Sequence, residues 1–332
     1  MNVRPAALSL IFLLLAVSPA WADKLEGYAE YRLGEYLVVD GQRIRADKAT
    51  EVEGRGKAKQ FATIPLGYQV EAQGEYGKDG IFHARLIAAS RNRDTSTDQE
   101  IKKAFDSIEK GYTEQGRMRT VDEKGKVLED NGELHEEGPR VDRVRRIASG
   151  LVPPYIDPND MRVYVVENEE WNAMAAPNFS IYVFSGLLDD MDDDEVAIVL
   201  GHEIAHATHE HSRRQYDQGM WVSIGAAIAG AATEVIDNDL GKQATQVGTM
   251  LGASALATGY SRDHEDQADR VGMRYAHEAG FDVTKGPALW KKFADKYGDA
   301  NVAVNFFFGD HSRSSKRAEL LRQEIERNGY GG

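Results

Sequence analysis

Between residues 24 and 90, apolar and polar positions alternate in short runs: Tyr28 to Tyr31, Tyr36 to Val39, Arg43 to Ala46, Tyr68 to Ala72 and Ile81 to Ile87. A period of two belongs to strands that bury one face. Asp40-Gly41 and Lys78-Asp79-Gly80 punctuate these runs, and Asp-Gly between β-prone segments predicts a tight hairpin. The pattern therefore predicts a small all-β, barrel-like domain over residues 23–92, with about five or six strands and the shape of an oligonucleotide/oligosaccharide-binding barrel. Its aromatic residues Tyr28, Tyr31, Tyr36, Tyr68 and Phe82 are expected in the core or wall of that barrel rather than on a binding platform.

The periodicity then changes. Residues 93–98 are polar and read as a linker, and residues 99–332 read as a second, mostly helical domain with a small sheet, giving an α+β chain overall. Ile101, Ala104, Phe105 and Ile108 recur at helical spacing within Gln99 to Gln115. Asp122 to Gly138 is charged and contains glycine, as a hairpin or exposed loop would. Val141 to Leu151 forms a second amphipathic helix, closed by Gly150 and Pro153-Pro154. Met161 to Val166 and Ser180 to Phe184 are rich in β-branched and aromatic residues and predict strands, with a turn around Pro177 between them. Asp192 to Glu195 supplies an acidic helix start, followed by Val196, Ile198, Val199, Ile204 and Ala205 at helical spacing. Met220 to Ala232 is apolar and rich in small residues, but Glu234 and Asp237 stop it short of the ~20 residues of a bilayer span. A closely packed helical hairpin continuing through Gly248 to Ala257 is expected there, with a membrane-touching lid as the other reading.

Composition narrows the partners. With 54 acidic against 40 basic residues the formal charge is −14, which argues against a nucleic-acid partner. Residues 1–22 have the layout of a secretory signal peptide: Arg4, an apolar run from Ala6 to Val17, and a small-x-small site that places cleavage after Ala22. The apolar run is too short for a stable transmembrane span. The chain has no cysteine, so it lacks both disulfides and the thiol of a lipoprotein anchor. A periplasmic protein is expected, and any metal in it must be held by nitrogen and oxygen.

The chemistry concentrates in Gly201-His202-Glu203-Ile204-Ala205-His206. Residues i and i+4 of a helix lie one above the other, so His202 and His206 can converge on one zinc ion while Glu203 sits beside it as a general base. A catalytic zinc usually has three protein ligands. Six residues past His206 stands Ser212, which rules out the extended three-histidine motif. The best third ligand is Glu265, in Ser261-Arg-Asp-His-Glu-Asp-Gln-Ala-Asp269, where Asp269 follows one turn later and could hydrogen-bond the outer nitrogen of a liganding histidine. Asp263, His264 and Asp266 are expected to be solvated, and His209 and His211 to serve packing or surface roles.

His202-Glu-x-x-His206 followed by Glu265-x-x-Ala-Asp269 resembles the zinc peptidases that include the CAAX prenyl proteases, the bacterial heat-shock membrane protease and their soluble periplasmic relatives. The resemblance runs from about Asn172 to Arg317 and takes in Pro177, Ile181 to Leu188, His211 and Tyr260-Ser-Arg262. The family's Gly-Gly after the proline is Asn178-Phe179 here, and its His-Pro-Ser element appears as His311-Ser312. The resemblance implies a gluzincin peptidase domain with one Zn2+ per chain and endopeptidase activity, and export, the absent membrane span and backbone-based recognition point to unfolded or misassembled envelope proteins as its substrates. It implies His311 as a catalytic group that stabilises the oxyanion, with Arg317 and Tyr260 as alternatives. Ser180, Ile181, Tyr182, Val183 and Phe184 are expected to bind substrate as an added strand. Two other functions fit the same residues: an envelope chaperone or scaffold with a latent metal site, and a peptidoglycan amide hydrolase. A peripheral membrane contact remains compatible with either, and no partner of the barrel-like domain is named by its residues.

Overall fold

The computed structural model describes residues 23–90, 96–121, 127–153, 156–211, 261–297 and 314–331. The expected helical hairpin after Met220, the signal peptide, Tyr260 and His311 lie outside these residues. The chain divides into two compact units, Met1–Arg91 and Asn92–Gly332.

In the first unit, strands β1 (Asp23–Leu33), β2 (Tyr36–Val39), β3 (Gln42–Arg45), β4 (Glu51–Gly54), β5 (Gln69–Tyr76) and β6 (Phe82–Ser90) form one mixed sheet in the order β3-β2-β1-β5-β6-β4. Both predicted hairpins are present. Asp40 and Gly41 take φ of 48° and 70°, the left-handed pair that matches a two-residue turn to the twist of its strands. Leu25, Leu37, Val39, Ile44, Val70, Ala72, Phe82 and Ile87 point to one side and bury a continuous core. The expected closed barrel is not clearly realised. β3 meets β6 only at Ile44↔Phe82 and Arg45↔His83, while β6 also pairs in parallel with β4, so the sheet curls with little of its margin sealed.

In the second unit a five-stranded mixed sheet has the order β10-β11-β9-β8-β7, formed by β7 (Arg117–Val121), β8 (Val127–His135), β9 (Arg162–Val166), β10 (Ala173–Ala175) and β11 (Ser180–Phe184). The α+β class follows from this sheet and its helices. Alternate residues of β9 and β11 feed two cores. Val163, Val165, Ile181 and Val183 face the helices α2 (Pro139–Leu151) and α4 (Asp193–Thr208), whereas Tyr164, Val166, Tyr182 and Phe184 cluster with Phe105 of α1 (Ser96–Gln115). Each such apolar side chain, fully buried, contributes about 1.5–3 kcal/mol. β10 falls where the sequence predicts only a turn. Ala-Met-Ala carries no β-branched residue, and the strand exists because β11 offers it a partner. The turn that joins them holds Phe179 at φ 62°, fixed by Asn178, whose Nδ2 donates to Asp106 and Glu109.

Helices α3 (Ser185–Asp190), α5 (Arg262–Glu278), α6 (Gly286–Tyr297) and α7 (Ser314–Asn328) complete the unit. None of the described helices is long and apolar enough to cross a membrane. The decisive packing is α4 against α5, which touch backbone to backbone at Gly201 and Gly272. A Cβ on Gly272 would lie 2.4 Å from the amide nitrogen of His202, and one on Gly201 would lie 2.5 Å from the Gly272 carbonyl oxygen. Gly272→Ala is therefore expected to cost at least about 1–3 kcal/mol by overpacking. Gly150→Ala, whose Cβ meets only Ala279 at 3.6 Å, should be neutral or stabilising by up to about 1 kcal/mol. Urea unfolding midpoints of the two variants check this; equal midpoints would remove the claim of a sterically closed crossing.

Candidate metal centre

The helix that carries the two histidines is buried along most of its length, from Glu195 to His206. Such a helix has no polar face to hold it at the surface, and its start is anchored instead. The Asp192 side chain accepts from the backbone of Asp194 and Glu195, and Glu195 reaches back to the Asp192 amide, which completes a capping box. Cations gather on these carboxylates: Lys285 on Asp192 and Asp194, Lys292 on Glu195, and Arg143 and Arg146 on Asp193. Negative charge at a helix N-terminus is favourable, and the outer ring of cations keeps it compensated.

Two turns along, His202 and His206 direct their Nε2 atoms to the same point, 3.0 Å apart. Glu265, brought across by the glycine crossing, places Oε1 3.3 Å from His206 Nε2 and Oε2 3.5 Å from His202 Nε2. Among the described residues these three form the one group of ligand-type side chains close enough to share an ion. The spacing tests what that ion could be. Donors bound tetrahedrally to zinc at ~2.0–2.1 Å sit about 3.3 Å from one another, which is the edge length found here. All three residues are 0–1% exposed, so a cation there would be held away from bulk water on the protein side. The donor set is two nitrogens and one carboxylate, the set expected of an open catalytic site, and Glu203 lies buried beside it at 5% exposure.

Asp269 and Arg317 build the next layer. Asp269 Oδ1 accepts from His202 Nδ1 at 2.9 Å, which leaves the His202 Nε2 electron pair for a metal. Burial alone would raise the Asp269 carboxyl, but the Arg317 guanidinium and the His202 hydrogen bond outweigh it and hold it down to about 2. Burial pushes the His202 imidazole below its usual value, and the Arg317 charge pushes the same way, so the ring is kept neutral and able to ligate. Arg317 itself is 1% exposed, donates Nε and Nη2 to Asp269 at 2.9 and 2.5 Å, and stacks 3.6 Å over the Trp290 ring. Its Nε and Nη2 are thus turned to Asp269 and its Nη1 lies 3.5 Å from Glu265 Oε2, which fits a residue that steadies these carboxylates better than the oxyanion donor expected from the sequence.

Other expectations change. Ser180 to Phe184 cannot accept an added strand, because β11 is paired with β9 along its whole length and with β10 on its other side. Among the described residues the margins of this sheet are β10 and β7, and β10 lies against α4. His264 is not solvated; it is 5% exposed and stacks on His211 with the rings 4.5 Å apart. His209 is buried in the packing role expected of it, with Nδ1 3.2 Å from the Ala205 carbonyl. His211 differs, since it is fully buried with Nδ1 2.8 Å from His206 Nδ1. Burial and the neighbouring His206, His264 and His209 rings hold it well below the ordinary imidazole value. Its position in the chain, just past the helix, gave no periodic signal for this contact. A network of the buried Glu109, Tyr164 and Asn178 with the exposed Arg162 also went unseen, since its members are spread across 70 positions of chain, from Glu109 to Asn178.

Asp269→Asn tests the second layer in metal-free protein. Removing the carboxylate leaves Arg317 buried with Glu265, 3.5 Å from its Nη1, as the remaining counter-charge in contact, which should cost up to about 3–5 kcal/mol at neutral pH. A depressed carboxyl stabilises above its unfolded value and loses that contribution as pH falls through the folded one. The gap between wild type and variant should therefore shrink from about pH 4 toward about 2, where Asp269 itself takes up a proton. Denaturant titrations across that range check it; a gap independent of pH would show that Asp269 is not held as its contacts indicate.

Residues 136–325 match the model of Peptidase family M48. The chain is 29% identical over 168 residues to Metalloprotease YcaL of Escherichia coli, a match covering 51% of this chain and 63% of that one. It is 32% identical over 162 residues to Mitochondrial metalloendopeptidase OMA1 of Arabidopsis thaliana, covering 48% and 31%. It is 29% identical over 140 residues to Beta-barrel assembly-enhancing protease of Yersinia pestis, covering 40% and 28%. The chain thus spans less than two thirds of the length of these relatives. The family match takes in more than half of the chain and all of His202, Glu203, His206, Glu265, Asp269 and Arg317, and the chain belongs to Peptidase family M48.

Proposed function

We propose that this protein is a zinc-dependent endopeptidase that acts on protein chains of the bacterial envelope. The observation that carries the proposal is the convergence of His202 Nε2, His206 Nε2 and the Glu265 carboxylate at tetrahedral spacing, with Glu203 buried alongside. One Zn2+ per chain would be held by these three residues. When bound, zinc polarises the scissile carbonyl and makes water easier to deprotonate. Glu203 takes the proton from the attacking water at its carboxylate and then delivers one to the departing amine, so the peptide bond is exchanged for a carboxylate and an amine. Asp269 holds the His202 ring in register, and Arg317 holds Asp269. His311 and Tyr260 are retained as candidate donors to the oxyanion.

Substrate binding is assigned to β10. Its outer edge can add an extended peptide through backbone hydrogen bonds beside the metal helix, a mode tolerant of side-chain sequence. Peptide substrates N-methylated at alternate amides should then be cut far more slowly than their parents; equal rates would remove edge addition.

The layout of residues 1–22 supports export to the periplasm with cleavage after Ala22. The name of the Yersinia relative, which refers to β-barrel assembly, supports unfolded or misassembled envelope proteins as substrates. The β3–β6 pairing supports reading the N-terminal sheet as a roll of the oligonucleotide/oligosaccharide-binding type, a shape that alone names no ligand.

The test is an unfolded protein substrate with zinc content measured in parallel. Glu203→Gln should keep zinc and lose about 100-fold to 10,000-fold in turnover. Glu265→Ala and chelation should remove both metal and activity. A Glu203→Gln chain that cleaves at the wild-type rate, with contaminating protease excluded, ends the catalytic reading. An intact cellular phenotype in that variant favours a chaperone, and cleavage of purified sacculi favours a peptidoglycan amide.

A further inference from the structure

Asp269 fixes the outer nitrogen of His202, and His206 has the same requirement, since a ligating imidazole needs its outer nitrogen fixed for the inner one to face the metal. The outer nitrogen of His206 lies 2.8 Å from Nδ1 of His211, and Nε2 of His211 lies 2.9 Å from Oε1 of Gln267. We propose that Gln267 and His211 form a relay that sets the tautomer of His206 and so prepares its Nε2 for the metal.

The relay follows from counting protons. An amide oxygen only accepts, so the neutral His211 ring must carry its proton on Nε2 and donate it to Gln267. Its Nδ1 then has an electron pair, and the proton between the two rings belongs to His206 Nδ1. That leaves the His206 Nε2 pair directed at His202 Nε2, 3.0 Å away, where Asp269 has already directed the matching pair of His202. Two electron pairs facing each other at that distance repel, and a cation between them removes the conflict. The opposite orientation of the Gln267 amide would reverse each step and put a proton on His206 Nε2, where no metal could bind. Gln267 therefore decides which state is built.

The rings are held for this purpose. His211 is 0% and Gln267 2% exposed, so water competes little for either bond. His264 stacks on His211 with an interplanar angle of 9°, which fixes the plane of the ring that must bridge its neighbours. Gln267 lies on α5 between Glu265 and Asp269, so the helix that supplies the third ligand also steers the outer nitrogens of both histidines. His211 acts through His206 and is a positioning residue.

The inference rests on the metal reading above, and the experiment separates the two. In the metal-free full chain labelled with 15N-histidine, long-range proton–nitrogen correlations should show His206 protonated at Nδ1. This measurement requires no substitution; a wild-type His206 protonated at Nε2 overturns the relay. Zn2+ affinity, measured by competition with a chromophoric chelator, should fall by about 10-fold to 100-fold in His211→Leu and in Gln267→Met. His211→Asn, whose Oδ1 stands near the place of the imidazole Nδ1 and accepts the same proton, should recover most of that loss, and Gln267→Glu should keep wild-type binding. If His211→Leu binds zinc as the wild type does, or His211→Asn binds as weakly as His211→Leu, the relay is wrong. A wild-type chain that binds no zinc, or binds it equally after His206→Ala, overturns the metal reading itself.

Discussion

The catalytic unit depends on one steric constraint, the contact of α4 with α5 through Gly201 and Gly272. With a Cβ on either residue the helices would have to separate, because that Cβ would lie 2.5 Å from a backbone atom of the other glycine. At this separation Glu265 reaches His202 and His206 directly, Asp269 on the same helix reaches the outer nitrogen of His202, and Gln267 reaches that of His206 through His211. A metal site of this kind tolerates little movement, since ligand atoms must agree with the ion's radius to a few tenths of an ångström. Close backbone packing provides that tolerance, because two rigid helices in contact have fewer ways to shift than helices separated by flexible side chains.

The same crossing creates an electrostatic cost. It buries Glu203, Glu265, Asp269 and Arg317 together with His202, His206, His211 and His264, all at 5% exposure or less. Charges removed from water destabilise a fold unless they are matched with good geometry. Here Arg317 offsets Asp269, lies 3.5 Å from Glu265, and keeps its own apolar face on Trp290. Burial disfavours the cations of His202 and His211 and holds both rings below the ordinary imidazole value. What is left is a patch rich in electron pairs that a divalent cation can complete, so the arrangement has a physical purpose that stability alone would not supply. The surrounding apolar cores, on both faces of the five-stranded sheet, provide the stability on which it draws.

The metal helix is anchored at its start and flanked by a sheet margin. Its N-terminus is tied by the capping box and by cations from α2 and α6, which keeps the helix from sliding along α5. Alongside it runs β10, a three-residue strand with no strong propensity of its own, stabilised by β11 and by the Asn178 side chain in the turn that follows. A strand defined by its partner rather than by its residues is well suited to a sheet margin, where a further strand can be accepted.

Several of these features were legible from residue order alone. The hairpin at Asp40-Gly41, the acidic start of α4 and the positions of His202, Glu203 and His206 all rest on interactions between residues a few places apart, which a period or a turn rule captures. Glu265 and Asp269 were legible as well, because one helical turn relates them. The order of strands around β11, the engagement of Arg317 by Asp269 and the joining of His206 to Gln267 through His211 were not. The last two link segments 48 or more positions apart, and the strand order depends on which edge each short strand meets. The residues by themselves determined which chemistry was present, since ligand type and local spacing are properties of the chain. Only the tertiary structure decided which hydrogen-bond partner each ring nitrogen and carboxylate would meet, because that is set by how closely two helices can approach.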